Sequence, residues 1–355
     1  MTQRRTLLTG ALATAGLVAV VPAWAQALVR TSFGPTTTDI STGHAGHSSL
    51  PQALGYWREE GLQSEVFGIA GNTAGLQLIS AGNIDFISIV GEELMQAQVR
   101  GIPLRAVYMH ARQPISRIVV TKASGIASLA ELKGKAVGMP VLGPSPYAAA
   151  MFKEAGIDMQ KDIRLVATGT GAPALLALRR GDIAGWISWD TAVAGLENRG
   201  MEFTEFRPGY FNELFGNAVI AREEMIRDRP QLVVGMCRAI AKAVHFGLAN
   251  PDAAIRIHWR AYPQTKPQGG DEARLLEEAR RVFLARFNSY ALNGVANYGE
   301  SLPAQWKRVA DQMKEAGELP QDFDPARAYT NQFVEQINAW DRSAVEAQAR
   351  GWTGN

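Results

Sequence analysis

The sequence predicts an α/β protein of two lobes, each a mostly parallel sheet flanked by helices, followed by a helical C-terminal extension. Three observations predict it. The chain has 355 residues at 46% hydrophobic, more than one core usually organises. From Leu28 to Ala221, short β-type runs alternate with helical runs, the pattern of parallel strands covered by helices. After Arg222 the alternation stops and only helical periodicity continues.

Taken in order, strands are expected at 28–33, 63–67, 84–89 and 104–109, then at 117–121, 135–139, 163–166 and 183–188, with a ninth at 217–221. Between the first two, Ser49-Leu50-Pro51 opens a helix with a capping hydroxyl and an early proline, and Gly61 stops it. Helices are expected at 231–248, 251–259, 271–287, 302–316 and 325–344, interrupted by the Pro- and Gly-bearing loop 262–270. These patterns divide the mature chain into a first lobe at 28–121, a second at 122–212, and a return to the first lobe with the helical tail at 213–355. Cys237 is the single cysteine and falls in a helical run. It excludes an internal disulfide and a cysteine zinc site, and reads as a small buried hydrophobe.

One stretch echoes another. Leu78 to Phe86 and Leu176 to Trp186 both run helix, glycine turn, strand, and each follows a glycine-rich loop, Gly71-Asn72-Thr73 in one and Gly169-Thr170-Gly171 in the other. A glycine just past a helix turns the chain sharply without steric cost. Either one βαβ arrangement is built twice, or a common α/β turn recurs.

Residues 1–27 carry two cations, Arg4 and Arg5, no acid, an uncharged stretch, and the ending Pro22-Ala23-Trp24-Ala25-Gln26-Ala27. This is the layout of a signal peptide cleaved after Ala25 or Ala27. Paired arginines before x-Leu-Leu look like a twin-arginine signal, and an ordinary secretory signal is the alternative. Both end in the periplasm. With no cysteine at the cleavage region, lipid anchoring is not expected, and no later run approaches the roughly 18 apolar residues of a membrane span. Of 36 Lys and Arg, two leave with this segment, so 34 basic residues face 34 acidic ones. That balance excludes a nucleic-acid binder, which needs clustered cations. A small molecule or a protein is the expected partner.

In open α/β sheets, ligands sit beyond the carboxyl ends of the strands, where helix openings offer unpaired N–H groups. After the first strand comes Gly34-Pro35-Thr36-Thr37-Thr38-Asp39, then Ser41 to His47, dense in hydroxyls and glycines; it reads equally as a polar ligand loop and as a solvated loop. Gly71-Asn72-Thr73, Gly91-Glu92, Ser145-Pro146-Tyr147 and Gly169-Thr170-Gly171 look like helix openings at one sheet edge. Trp186, Trp189 and Tyr147 supply aromatic wall. Strand alternation lets only one of the two tryptophans face a ligand. His44 and His47 lack the carboxylate partners of a metal motif. No GxSxG, GxxxxGK[ST] or strand-to-helix GxGxxG is present, so no cofactor and no catalytic residue is expected.

With the echo and the loops in hand, the chain resembles the periplasmic solute-binding proteins of ABC importers, specifically the family that binds nitrate, sulfonates, taurine and pyrimidine precursors. The resemblance rests on Leu54-Gly55-Tyr56-Trp57-Arg58-Glu59-Glu60-Gly61-Leu62, on Leu78 to Phe86, on Ser128-Leu129-Ala130-Glu131-Leu132-Lys133-Gly134-Lys135, and on Ala177 to Ile183. It implies a type II periplasmic-binding-protein architecture: two hinged lobes closing on a small organic solute, with an ABC transporter permease as partner and a monomeric receptor. Carried over by motif position, the binding residues are Thr36, Thr37, Thr38, Asp39, His44, Asn72, Thr73, Glu92, Ser145, Tyr147, Thr170 and Trp189. Arg112 and Arg117 near the hinge are candidates for the arginine that anion-binding members place in the cleft, and Arg112 joins the set. The pyrimidine-synthesising relatives carry a cysteine-rich motif that is absent here, which favours a receptor over an enzyme; a ligand-sensing domain for a membrane receptor is the other alternative.

Overall fold

A computed structural model describes residues 27–354. The expected signal segment, with its arginine pair, therefore lies outside the described residues, except for Ala27 at its end.

The first sheet is built from β1 (Val29–Pro35), β2 (Leu62–Val66), β3 (Phe86–Val90) and β4 (Leu104–Met109). The second is built from β5 (Ser116–Thr121), β6 (Ala136–Met139), β7 (Arg164–Ala167), β8 (Gly185–Trp189) and β9 (Phe203–Phe206), and β10 (Asn217–Arg222) returns to the first. Strand order is β2-β1-β3-β10-β4 in one and β7-β6-β8-β5-β9 in the other. In each sheet a single strand, β10 or β5, runs antiparallel to its neighbours. The rest are mutually parallel. Replacing β1, β2, β3, β10 and β4 by β6, β7, β8, β5 and β9 converts one order into the other. The echo is thus a repeat at the level of topology, and its turning glycines, Gly82 and Gly181, both hold positive φ, 74° and 73°.

The lobe boundary differs from the sequence reading. β5 sits in the second sheet, so the chain crosses before Ser116 and not after Thr121. The reason is burial on both faces: Ile118, Val119 and Val120 are fully buried and pair with β8 and β9. The edge strand β9 escaped the sequence reading because its four residues are all only half-buried.

Helices cover the sheets as the alternation requires. The expected helix 49–61 is two short pieces, α1 (Ser49–Ala53) and α2 (Tyr56–Glu59), parted by Gly55 at φ 78°, and a 3-10 turn Thr42–His47 precedes them. Then come α3 (Asn72–Ser80), α4 (Gly91–Val99), α5 (Pro146–Glu154), α6 (Ala172–Arg180) and α7 (Asp190–Glu197). The C-terminal region holds α8 (Glu223–Asp228), α9 (Pro230–Ala249), α10 (Pro251–Ala261), α11 (Glu272–Tyr290), α12 (Pro303–Glu315), α13 (Val334–Ile337) and α14 (Arg342–Arg350). By length and composition alone α9 matches a membrane span, which the sequence reading did not single out. Here it is the core helix of the first lobe, burying Val233, Met236, Cys237, Ile240, Val244 and Phe246.

The expected helix 325–344 does not form as one unit. Asn331 pairs its side chain with both backbone groups of Ser301, and Asn338 does the same with Tyr298. An asparagine amide that satisfies distant backbone competes with helix continuation. Asp341 then caps the restart, accepting from the Ser343 and Ala344 amides.

Helix α11 does more than support the first lobe. It packs on the 3-10 turn Thr42–His47 on one side and on α7 of the second lobe on the other. Asn198 of the second lobe donates to the Glu278 carbonyl at 2.7 Å, and Thr42 of the first donates to the Ala279 carbonyl at 3.3 Å.

Candidate functional site

The carboxyl ends of the parallel strands of both lobes face one another across a cavity of about 400 Å³. From the first lobe it is lined by Pro35 to Asp39 after β1, His44 and His47 of the 3-10 turn, Ala70 to Thr73 at the opening of α3, Ser88 and Val90 of β3, Glu93 of α4 and Asn217 of β10. The second lobe contributes Met139 to Ser145 after β6, Gly169 and Thr170 after β7, and Ile187, Ser188 and Trp189 of β8. Ile115 and Ser116 come from the crossing, and Arg286 reaches in from α11.

Ten of the thirteen residues singled out in the sequence therefore meet at this cavity: Thr36, Thr37, Thr38, Asp39, His44, Asn72, Thr73, Ser145, Thr170 and Trp189. Three do not. Glu92 and Tyr147 line a separate space of about 30 Å³ between α4, α5 and α12. Helix geometry is the cause for Glu92: adjacent residues lie on different faces, and α4 turns Glu93 to the cleft instead. Arg112 points away and donates to the Asn297 carbonyl at 3.3 Å. Arg117 pairs with Glu205 at 3.1 Å, also outside the cavity.

Local bonding fixes much of the wall. Thr36 Oγ1 donates to Asn72 Oδ1 at 2.5 Å, and Asn72 Nδ2 donates to Glu93 Oε1 at 2.8 Å, tying β1, α3 and α4 together. Across the cleft, Trp186 is fully buried and donates to Thr168 Oγ1 at 3.1 Å, which leaves Trp189 as the cavity tryptophan. Helix α3 opens at the cleft behind Gly71 with no side-chain cap, so its first N–H groups are free for a ligand acceptor, whereas α6 opens just beyond the cavity-lining Thr170 and its Pro173 offers no N–H.

Three ionisable side chains other than histidine, Asp39, Glu93 and Arg286, stand on the wall. Burial, followed by the charge of Arg286, holds His44 well below its ordinary value and His47 down to about 3, so both imidazoles are neutral. Burial raises Asp39 and Glu93, the latter partly offset by the Asn72 bond. Burial alone would lower Arg286, yet the Asp190 carboxylate keeps it charged, above the usual range. The Arg286–Asp190 pair is 2.5 Å long, and its two side chains are 3% and 2% exposed. Several buried polar atoms of the wall have no protein partner: Ser188 Oγ, Trp189 Nε1, Asn217 Oδ1 and both ring nitrogens of His47.

Sequence reasoning passed over Ser88, Glu93, Asn217, Ser188 and Arg286 as wall residues. Strand ends carry the signal for Ser88 and Ser188, which fall near the carboxyl ends of the expected strands 84–89 and 183–188, just before helix openings. For Arg286 no local signal exists, since it stands in a helix far along the chain.

Two opposed parallel-rich sheets with a polar-and-aromatic cleft at their shared carboxyl edge define the two-lobed periplasmic-binding-protein class. The same fold is seen in the alkanesulfonate-binding protein SsuA from Xanthomonas axonopodis pv. citri bound to MOPS, with TM-score 0.62, 17% identity, and coverage of 85% of this chain and 98% of that one. The family model described as NMT1/THI5 like matches residues 44–254, more than half of the sequence, and the chain belongs to that family. Among curated relatives, the riboflavin-binding protein RibY of Chloroflexus aurantiacus is 26% identical over 289 residues, covering 79% of this chain and 80% of that protein. A 4-amino-5-hydroxymethyl-2-methylpyrimidine phosphate synthase of Saccharomyces cerevisiae is 24% identical over 309 residues, covering 80% and 82%.

Proposed function

We propose that this chain is an extracytoplasmic solute receptor: it binds a small organic molecule between its lobes and hands it to an ABC importer. The observation that carries the reading is the cavity itself, walled by both lobes and by the chain crossing between them. A ligand bridging such walls favours the closed arrangement, because it gains contacts there that an open one lacks. The relatives named for solute binding support the assignment. The arginine-paired N-terminal segment supports export, by the twin-arginine or the general secretory route, with a soluble, monomeric periplasmic receptor as the mature product. A sulfonate, a carboxylate or an aromatic or heteroaromatic compound fits the volume.

A second reading, an enzyme like the pyrimidine phosphate synthases, is favoured by relatives bearing that name. Such chemistry implies iron and pyridoxal phosphate. Among the described residues, however, no lysine lines the cavity to hold the cofactor aldehyde, and no three His, Cys, Asp or Glu side chains are grouped closely enough to hold a metal ion. The residues do not fit those groups, and no step through them is derived.

Thermal melting across a metabolite panel tests the receptor reading. A true solute binds the folded state alone and stabilises it by RT ln(1 + [L]/Kd), which raises the melting temperature. A flat response across sulfonates, carboxylates and heteroaromatics, or turnover dependent on iron and pyridoxal phosphate, contradicts it.

A further inference from the structure

The wall of the cavity contains three side chains able to carry a full charge at neutral pH, namely Asp39, Glu93 and Arg286. Arg286 is the one cation, and it is spent. Its Nε lies 2.9 and 2.8 Å from the two Asp190 oxygens, its Nη2 lies 2.5 Å from Oδ1, and Nη1 faces Tyr290 Oη at 3.5 Å. With Asp190 in place the pair carries no net charge, although the guanidinium still bears on the neighbouring His44 and His47 rings. The atoms left for a ligand are instead neutral hydrogen-bonding groups, with Ser188 Oγ, Trp189 Nε1 and Asn217 Oδ1 buried and unpartnered. The open end of α3 favours an acceptor, but Asp39 and Glu93 stand on the same wall, so a carbonyl-type oxygen suits it better than a full anion.

We propose that Asp190 is a specificity-determining residue: by sequestering Arg286 it sets the cleft for uncharged, hydrogen-bonding ring compounds and against anions. The proposal rests on the receptor reading and deepens it. Arg286 stands in α11, beyond the stretch matched by the family model, whereas Asp190 lies within it. Replacing Asp190 by Asn keeps an oxygen for the Thr191 amide, which Asp190 Oδ1 now accepts at 2.7 Å, and leaves the guanidinium uncompensated.

The test uses matched probes of one shape and two charges, benzoate with benzamide and benzenesulfonate with benzenesulfonamide, titrated at constant ionic strength by melting temperature and tryptophan emission. In the unaltered protein the amide of each pair is expected to bind more tightly than the anion. In Asp190→Asn the anion gains at least tenfold relative to its amide, and in the double variant Asp190→Asn/Arg286→Gln that gain disappears. A gain in the single variant counts in favour even if the unaltered protein binds none of the four probes. An anion preferred by the unaltered protein overturns the proposal, as does a folded Asp190→Asn protein without the gain. Should that variant fail to fold, the anion-to-amide ratio of the unaltered protein decides. Failure of the receptor reading shows separately, as a purified protein that carries no small molecule and that no metabolite stabilises.

Discussion

His47 illustrates how a single residue carries both stability and site chemistry. Its ring packs between Phe33, His44 and His110, at centroid distances of 5.3, 5.6 and 4.7 Å, and neither nitrogen finds a protein partner. Burial holds it near 3, holds His258 near 4, and drives His44 and His110 down as well. The unfolded chain takes up these protons around the ordinary 6.5, whereas the folded chain resists until far lower pH. Stability from the neutral rings is thus complete above 6.5 and is lost as the pH falls from there toward 4 and 3. Each ring contributes a slope of about 1.4 kcal/mol per pH unit within its window. We expect the melting temperature to decline steadily from pH 7 to pH 4, and His47→Gln to flatten that decline; an unchanged melting temperature down to pH 5 contradicts the burial account. At the cleft, Trp189→Ala is expected to weaken solute binding at least tenfold and to remove most of the ligand-induced emission change, with Trp186→Phe as the comparison that leaves the emission change in place. Residue identity at the site was legible where a loop follows a strand, as at Thr36 to Asp39. It was misplaced by one at Glu92, because which helix face meets the cleft depends on packing.

Among the elements, periodicity located nine strands and most helices, since alternation and apolar spacing are set by the sheet and its helical cover. It failed where side chains replace backbone partners. Between Pro325 and Arg350 the helical spacing is present, yet Asn331 and Asn338 divert the chain by bonding to Ser301 and Tyr298. Asn338→Ala leaves both backbone groups of Tyr298 without these bonds and is expected to cost about 1–3 kcal/mol, measured by chemical denaturation. A cost near zero would mean that the diversion is set elsewhere. Strand β6 offers a second check. A Cβ on Gly138 would lie 2.6 Å from Ile183 Cδ1, 2.8 Å from Thr168 Cγ2 and 3.1 Å from Trp186 Cδ1. Gly138→Ala is therefore expected to lose about 1–3 kcal/mol by overpacking, and full stability in that variant would contradict the packing described.

For the whole molecule, two chain crossings join the lobes, before β5 and before β10, and α11 adds a bridge that sequence reasoning placed on the first lobe alone. Any opening of the cleft must separate α11 from α7 or carry it along, and the buried Arg286–Asp190 pair stands at that contact. The topological repeat of the two sheets was visible in the sequence only as the glycine-turn echo. Its meaning needed strand order, which long-range pairing decides. As a receptor of the kind proposed, this chain holds a small molecule and releases it unaltered. Native mass spectrometry of freshly purified protein, followed by denaturation and mass analysis of what is freed, tests it most directly. One stoichiometric small-molecule adduct is expected, released with the mass of the compound that rebinds. A protein free of adduct that no offered solute occupies, or a compound recovered chemically changed, would contradict it.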